Sequence, residues 1–139
     1  MEFPSDYLQI IVAVIYAMAL FYAIATFRRS KKLDQITSLG DVMKEIREIE
    51  QEMAKIPPGP QYDEVRKSWY SRMFNSLEWL SFLINKKIMT DKKLIEYIKP
   101  MIITYYDNTF LKYASTNRSD SDNYPQFKKL YQSVKNKPK

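Results

Sequence analysis

The chain has 139 residues and a net charge of +6, with 22 Lys and Arg against 16 Asp and Glu, and it contains neither cysteine nor histidine. Without cysteine the sequence excludes disulfide bonds and thiolate chemistry, and without histidine it lacks the commonest acid–base group at neutral pH and the commonest metal ligand. Its two glycines, Gly40 and Gly59, cannot form a glycine-rich phosphate loop. We therefore expect a protein that is not an enzyme and that uses no cofactor or metal.

A long apolar run lies near the N-terminus. Tyr7 to Phe27 is 21 residues without a charge, and as a helix it would measure about 31 Å, close to the roughly 30 Å of a bilayer's hydrocarbon core. Two acids, Glu2 and Asp6, precede the run. Four cations follow it: Arg28, Arg29, Lys31 and Lys32. Because Lys and Arg are enriched on cytoplasmic flanks, we expect a single-pass plasma-membrane protein with its N-terminus outside and its C-terminal domain in the cytoplasm.

Two alternatives to this anchor follow from the same residues. Ala23-Ile24-Ala25 resembles a signal-peptidase site, so the run could be a cleaved signal sequence. Signal sequences have a positive N-terminal region and a shorter apolar core, whereas this run follows two acids. The charge pattern therefore favours an uncleaved anchor over a signal sequence, and over the buried helix of a soluble protein.

Small residues in the run offer a surface for a second membrane helix. Ala13 and Ala17 are four residues apart, and Tyr16 lies near the middle of the run. Small residues at this spacing let helix backbones approach closely in lipid, and a tyrosine hydroxyl at that depth needs a hydrogen-bond partner. These three residues are a candidate helix–helix contact, and the alternative is an ordinary alanine-rich span.

Apolar periodicity after the run predicts an all-α protein with a small bundle of about four cytoplasmic helices. We divide the chain into a short extracytoplasmic segment (1–6), the transmembrane helix (7–27), a basic juxtamembrane linker (28–40), a helical domain (41–134) and a basic tail (135–139).

The first cytoplasmic helix is expected from Asp41 to Ile56, with Ser38 or Asp41 as its cap. An apolar stripe with alternating spacings of three and four residues runs along it: Leu39, Val42, Ile46, Ile49, Met53 and Ile56. This stripe fits packing inside the chain's own domain better than a coiled-coil seam with another molecule, because it is shorter than three heptads.

The second helix is expected from Tyr62 to Asn85 as the most buried element. Its interior carboxylate, Glu78, is assigned to the polar side or to a pair with a cation, in preference to a buried functional group. We expect one core to contain Trp69, Leu77, Leu80, Leu83, Ile98 and Phe110.

Three signals shape the rest of the domain. Thr90 or Asp91 caps a third helix, which should form a hairpin with the second. Pro100 lies inside this third helix and should kink it or divide it in two. Pro125 suits the first turn of a last helix.

Cations are concentrated at the C-terminus as well as after the apolar run. They form a candidate lipid-facing tail: Lys128, Lys129, Lys135, Lys137 and Lys139.

The segment from Ser71 to Ser115 resembles a family of membrane-anchored helical proteins of bacteria and archaea whose activity is not established. The matching positions are Asn75, Leu77, Glu78, Leu80 and Leu83 in the first part, and Thr90, Asp91 and Leu94 in the second. Lys86-Lys87 stands where the family often has a glycine. The resemblance implies a membrane-anchored helical protein and carries over no catalytic residue.

Two functional classes remain. The first is a non-enzymatic accessory subunit or interaction module of a larger membrane assembly, with lipid and other membrane subunits or itself as partners. The second is a domain at the inner leaflet that binds anionic lipid. Nucleic acid is disfavoured, and no small-molecule substrate can be identified.

Overall fold

The computed structural model describes residues 5–116 and 122–136, and every regular element in these two stretches is helical. The α-helices are α1 (Ser5–Ala54), α2 (Asp63–Asn85), α3 (Lys92–Tyr105), α4 (Leu111–Thr116) and α5 (Pro125–Lys135). A 3-10 turn, Pro60–Tyr62, precedes α2, and a π-helix, Tyr106–Phe110, joins α3 to α4. The predicted all-α class is confirmed. Packing divides the chain into an N-terminal unit, residues 1–35, and a C-terminal unit, residues 36–139.

Helix α1 is longer than the sequence indicates. The expected linker at 28–40 is helical, and the prediction of a helix start at Asp41 is wrong because α1 already runs through that position. No proline occurs between residues 28 and 54, and Gly40 alone costs a helix only about 1 kcal/mol. Leu39 and Val42 on either side of it are both buried, so packing favours one continuous helix.

The core of the C-terminal unit contains the apolar stripe of α1. Leu39, Val42, Ile46 and Ile49 are each 6% exposed or less, which confirms packing within the chain's own domain. Five of the six residues expected in the core are buried: Leu77, Leu80, Leu83, Ile98 and Phe110. Trp69 is partly buried and packs against this core, and the guanidinium of Arg72 lies 5.5 Å from the centre of its ring.

Phe74 of α2 lies at the centre of an aromatic cluster that joins the helices. Its ring is 5.1 Å from those of Phe110 and Tyr113 and 6.5 Å from that of Phe127. Through these contacts α5 becomes the closest neighbour of α2. The expected α2–α3 hairpin is therefore not the dominant pairing.

Helix α3 begins where the sequence predicts and continues past its proline. The Asp91 carboxylate accepts hydrogen bonds from the backbone amides of Lys93 at 3.0 Å and Leu94 at 3.1 Å, so Asp91 is the cap. Pro100 lies inside α3, so the alternative of two separate helices is wrong. The regular helix changes register only at the π-helix that begins at Tyr106.

Glu78 determines where α5 begins. Its carboxylate accepts hydrogen bonds from the backbone amides of Gln126 at 2.9 Å and Phe127 at 2.7 Å. These amides lie in the first turn of α5, where helical N–H groups have no partner within the helix. Glu78 is partly exposed and acts as a capping group from another helix, a role that the prediction of a polar-side or cation-paired carboxylate did not include.

Candidate functional site

In the N-terminal unit, the apolar side chains of α1 are exposed. In α1 the most apolar 18-residue window has a mean hydropathy of 2.4, and none of it is buried. Every described side chain from Tyr7 to Asp34 is exposed. This is the one helix in the described part of the chain that is long and apolar enough to span a membrane. By length and composition it supports a membrane location.

The predicted helix–helix contact is divided between two shallow grooves on this surface. Ala13 and Tyr16 line one groove with Gln9, and Ala17 lines a neighbouring groove with Phe21. Tyr16 is 72% exposed. The two alanines, one helical turn apart, thus line different grooves, and Tyr16 lines the groove of Ala13.

The four cations after the apolar run are in α1 and exposed: Arg28, Arg29, Lys31 and Lys32. The predicted basic juxtamembrane segment is therefore helical at these positions.

The cations of the predicted lipid-facing tail are only partly available. Lys128 pairs with Asp122 at 3.6 Å, and its ammonium lies 5.9 Å from the centre of the Phe110 ring. Lys129 is exposed. Lys137 and Lys139 lie outside the described residues.

Lys135 belongs to a small polar cluster that ties α5 to the π-helix. Its ammonium donates to the Tyr131 hydroxyl at 2.5 Å, and that hydroxyl donates to Asp107 at 2.5 Å. Hydrogen bonding to Tyr131 and the charge of Asp107 raise the pKa of Lys135, so it remains cationic at neutral pH. Burial raises the pKa of Tyr106, whose ring stacks on Tyr131 at 3.8 Å. Hydrogen bonds and ring stacking within the cluster join α5 to the π-helix, which is typical of a structural tie.

A polar cleft of about 500 Å³ lies between the first turns of α2 and the π-helix–α4 segment. Its lining includes three cations, two acids and several uncharged polar side chains. One cation, Arg66, is held in place by Asp63 at 2.9 Å and by the carbonyl oxygen of Gly59 at 3.0 Å. Lys67 and Lys112 also line the cleft.

Sequence reasoning missed this cleft, because its walls come from two segments that are far apart in the sequence, 63–70 and 108–116, and neither carries a recognisable motif. The π-helix that supplies Asn108 and Thr109 has no distinct sequence signature either. Among the described residues no group of three or more His, Cys, Asp or Glu side chains is arranged to hold a metal ion.

Two carboxylates of α1 contact the neighbouring helices. Glu45 accepts hydrogen bonds from Ser76 at 2.8 Å and from Arg72 at 3.2 Å. Glu50 accepts one from the Tyr105 hydroxyl at 2.5 Å. These contacts join α1 to α2 and α3.

Comparison with known proteins found no matching family model, no similar curated protein and no similar solved structure. The resemblance described for Ser71 to Ser115 therefore carries no functional argument, and function has to be argued from the chain's own residues.

Proposed function

We propose that the chain is a non-enzymatic, single-pass protein of the plasma membrane and an accessory subunit or interaction module of a larger membrane assembly. One observation carries this proposal: the whole apolar run from Tyr7 to Phe27 is exposed. In water an apolar surface of this extent is unfavourable. In a bilayer a helix satisfies its own backbone groups, and its side chains contact lipid.

Charge supports the orientation in this proposal. Cations follow the apolar run and acids precede it, so the N-terminus lies outside and the C-terminal unit lies in the cytoplasm. The absence of histidine and cysteine supports a role without catalysis.

The face with Ala13, Tyr16 and Ala17 is the proposed contact with another membrane helix. Lipid tails offer no hydrogen bond to the Tyr16 hydroxyl, which is satisfied more easily against protein. The two alanines permit the close backbone approach that packing in lipid requires.

The test replaces both alanines by leucine, Ala13→Leu with Ala17→Leu, and measures which proteins co-purify in a mild detergent. We expect insertion to persist, because both changes raise hydropathy, and recovery of the partner or of a second copy to fall. The matched control adds bulk to the opposite face with Ile11→Phe and Ile15→Phe, and should leave recovery unchanged. Equal recovery from both double variants would contradict the proposed contact.

A lipid-binding role for the C-terminal tail has less support. Lys128 and Lys135 both have partners within the C-terminal unit, so their charges are partly neutralised.

A further inference from the structure

The C-terminal end of α2 exposes an aromatic pair beside cations. Trp79 stacks on Phe82 with ring centres 5.5 Å apart and planes 16° apart. Trp79 is nevertheless 54% exposed, although α2 supplies much of the core. Lys86 lies seven residues after Trp79, and therefore on the same face of the helix.

In the turn after α2, the apolar side chain of Ile88 and the cation of Lys87 are both exposed. The backbone amides of Ile88 and Met89 both donate to the carbonyl oxygen of Leu83 at 2.9 Å, which fixes the turn. Met89 is buried at 2% exposure while Ile88 is 52% exposed. Lys87 between helix and turn has a φ of 58°. We call the surface formed by Trp79, Phe82, Lys86, Lys87 and Ile88 the α2–α3 tip.

Three of the four cations at this end, Lys87, Lys92 and Lys93, carry a conformational or electrostatic cost. The left-handed conformation of Lys87 is the one that helix ends usually assign to glycine. Lys92 and Lys93 lie in the first turn of α3, where the helix dipole disfavours positive charge. Between Trp79 and Lys93 there are four lysines and a single acid, Asp91. The dipole of α2 favours cations at its C-terminal end, where Lys86 and Lys87 lie, so local stability accounts for only part of this positive charge. Attraction to an anionic surface accounts for the rest.

The tip lies at the end of the C-terminal unit where the chain enters it. The hydrogen bonds from Ser76 and Arg72 to Glu45, together with the short link between α1 and α2, make the two helices antiparallel. Ile36 lies nine residues before Glu45, and Asn85 lies nine residues after Ser76. At about 1.5 Å per residue, Ile36 and Asn85 each lie roughly 13.5 Å from the Glu45–Ser76 contact, in the same direction along the antiparallel helices. The two residues are therefore at the same end of the C-terminal unit. Ile36 is only four residues after Lys32, a chain length of at most about 14 Å.

We propose that the α2–α3 tip is a contact site for the anionic lipid headgroups of the membrane that holds residues 7–27. Tryptophan is enriched where membrane meets water, because its ring is apolar and its N–H is polar. Lysines beside it are attracted to anionic headgroups. The inference rests on the proposed function, since it requires Tyr7 to Phe27 to lie in the bilayer.

The test uses tryptophan fluorescence of the full chain in vesicles whose acyl chains carry bromine near the headgroup. The chain has two tryptophans. Trp69→Phe leaves Trp79 as the reporter, and Trp79→Phe leaves the partly buried Trp69 as a matched control. With phosphatidylglycerol present, we expect bromine to quench Trp79 and to leave Trp69 bright.

The charges are tested by Lys86→Gln with Lys87→Gln in the Trp69→Phe background. Each cation near an anionic leaflet shifts the docking equilibrium by about fivefold, so removing two shifts it by roughly thirtyfold and should restore Trp79 emission. The control, Lys128→Gln with Lys129→Gln, should leave the quenching intact. All four lysines are at least partly exposed, and circular dichroism checks that each variant is folded.

Three outcomes would overturn the inference: Trp79 unquenched in phosphatidylglycerol vesicles, equal quenching in purely zwitterionic vesicles, or quenching lost only in the Lys128–Lys129 variant. Flotation of the chain with vesicles in high salt reports insertion separately. A chain that floats with Trp79 unquenched contradicts the tip alone, whereas a chain that does not float contradicts the proposed function.

Discussion

At the scale of single residues, Glu78 shows how one carboxylate of α2 determines the start of a helix that begins more than 40 residues later. Its two oxygens accept from two successive amides of α5, and α5 in turn supplies Phe127 to the aromatic cluster around Phe74. The sequence predicted both the helix start at Pro125 and an unusual carboxylate at position 78. It did not predict their connection, because the partners of Glu78 are backbone amides, which have no residue-type signature.

Replacing Glu78 should therefore destabilise the C-terminal unit. We expect Glu78→Ala to lower the free energy of unfolding by about 1–2 kcal/mol, because two amides at a helix start lose their acceptor. Glu78→Gln should cost less, since its one carbonyl oxygen still accepts. Guanidinium unfolding of the full chain in mild detergent, followed by tryptophan fluorescence, measures both. Glu48→Ala is the surface control and should change the value by less than about 0.5 kcal/mol. An equal, small effect at both positions would refute the capping role.

Tyr105 gives the C-terminal unit a dependence on alkaline pH. Burial and the hydrogen bond to Glu50 raise its pKa above the ordinary value of 10.0. The folded state therefore keeps a proton that the unfolded state loses above about pH 10, and stability falls as pH rises through that range. Below pH 10 both states are protonated, so the contribution is fully present there.

We expect Tyr105→Phe to make the free energy of unfolding less dependent on pH between about 10 and 12. At pH 8 the free energy of unfolding of Tyr105→Phe should be lower than that of the parent chain, because the hydrogen bond to Glu50 is lost. Tyr97→Phe, at a position 71% exposed, serves as the control. Unfolding curves at several pH values test this, and an unchanged alkaline slope in Tyr105→Phe would contradict it.

At the scale of elements, the continuity of α1 comes from packing and not from local signals. Ser38, Gly40 and Asp41 together resemble a helix boundary, and cap rules alone would place one there. The boundary does not form because Leu39 and Val42 contribute to the core in helical register. The π-helix after α3 was also beyond sequence reasoning, because a single extra residue in a helix leaves no periodic signal. In contrast, the helix starts at Thr90 or Asp91 and at Pro125 were predicted, because local hydrogen bonding and proline geometry favour a helix start there.

Gly40 gives a prediction for this element. A β-carbon at Gly40 would meet nothing within 4 Å, so alanine fits without strain. We expect Gly40→Ala to raise the free energy of unfolding by about 0.5–1 kcal/mol, because alanine loses less conformational freedom than glycine in a helix. Denaturant unfolding in detergent tests this. Gly59→Ala is the contrasting variant: because Gly59 has a φ of 139° and Gln61 Oε1 would lie 2.5 Å from the added carbon, this substitution should destabilise the chain. No stabilisation in Gly40→Ala would show that α1 is not helical at that point in solution.

At the scale of the whole molecule, two units with different surfaces share one chain. The C-terminal unit buries its apolar residues in a core of its own, whereas the apolar residues of the N-terminal unit are exposed. This contrast was predictable, because an uncharged run of 21 residues and the 3.6-residue periodicity after it are strong signals. The polar cleft and the α2–α3 tip were not predictable, because each depends on which side chains the tertiary fold leaves exposed.

The central claim is that Tyr7 to Phe27 crosses the membrane with the C-terminal unit on the cytoplasmic side. Because the chain has no cysteine, single cysteines report the side of the membrane without background labelling. We would place one at Ser5→Cys, before the span, and one at Ser68→Cys, an exposed position in α2, and treat intact cells with a membrane-impermeant maleimide. The account predicts labelling of the Ser5 variant in intact cells, and labelling of the Ser68 variant only after permeabilisation. Labelling of the Ser68 variant in intact cells, or of the Ser5 variant only after permeabilisation, would contradict it.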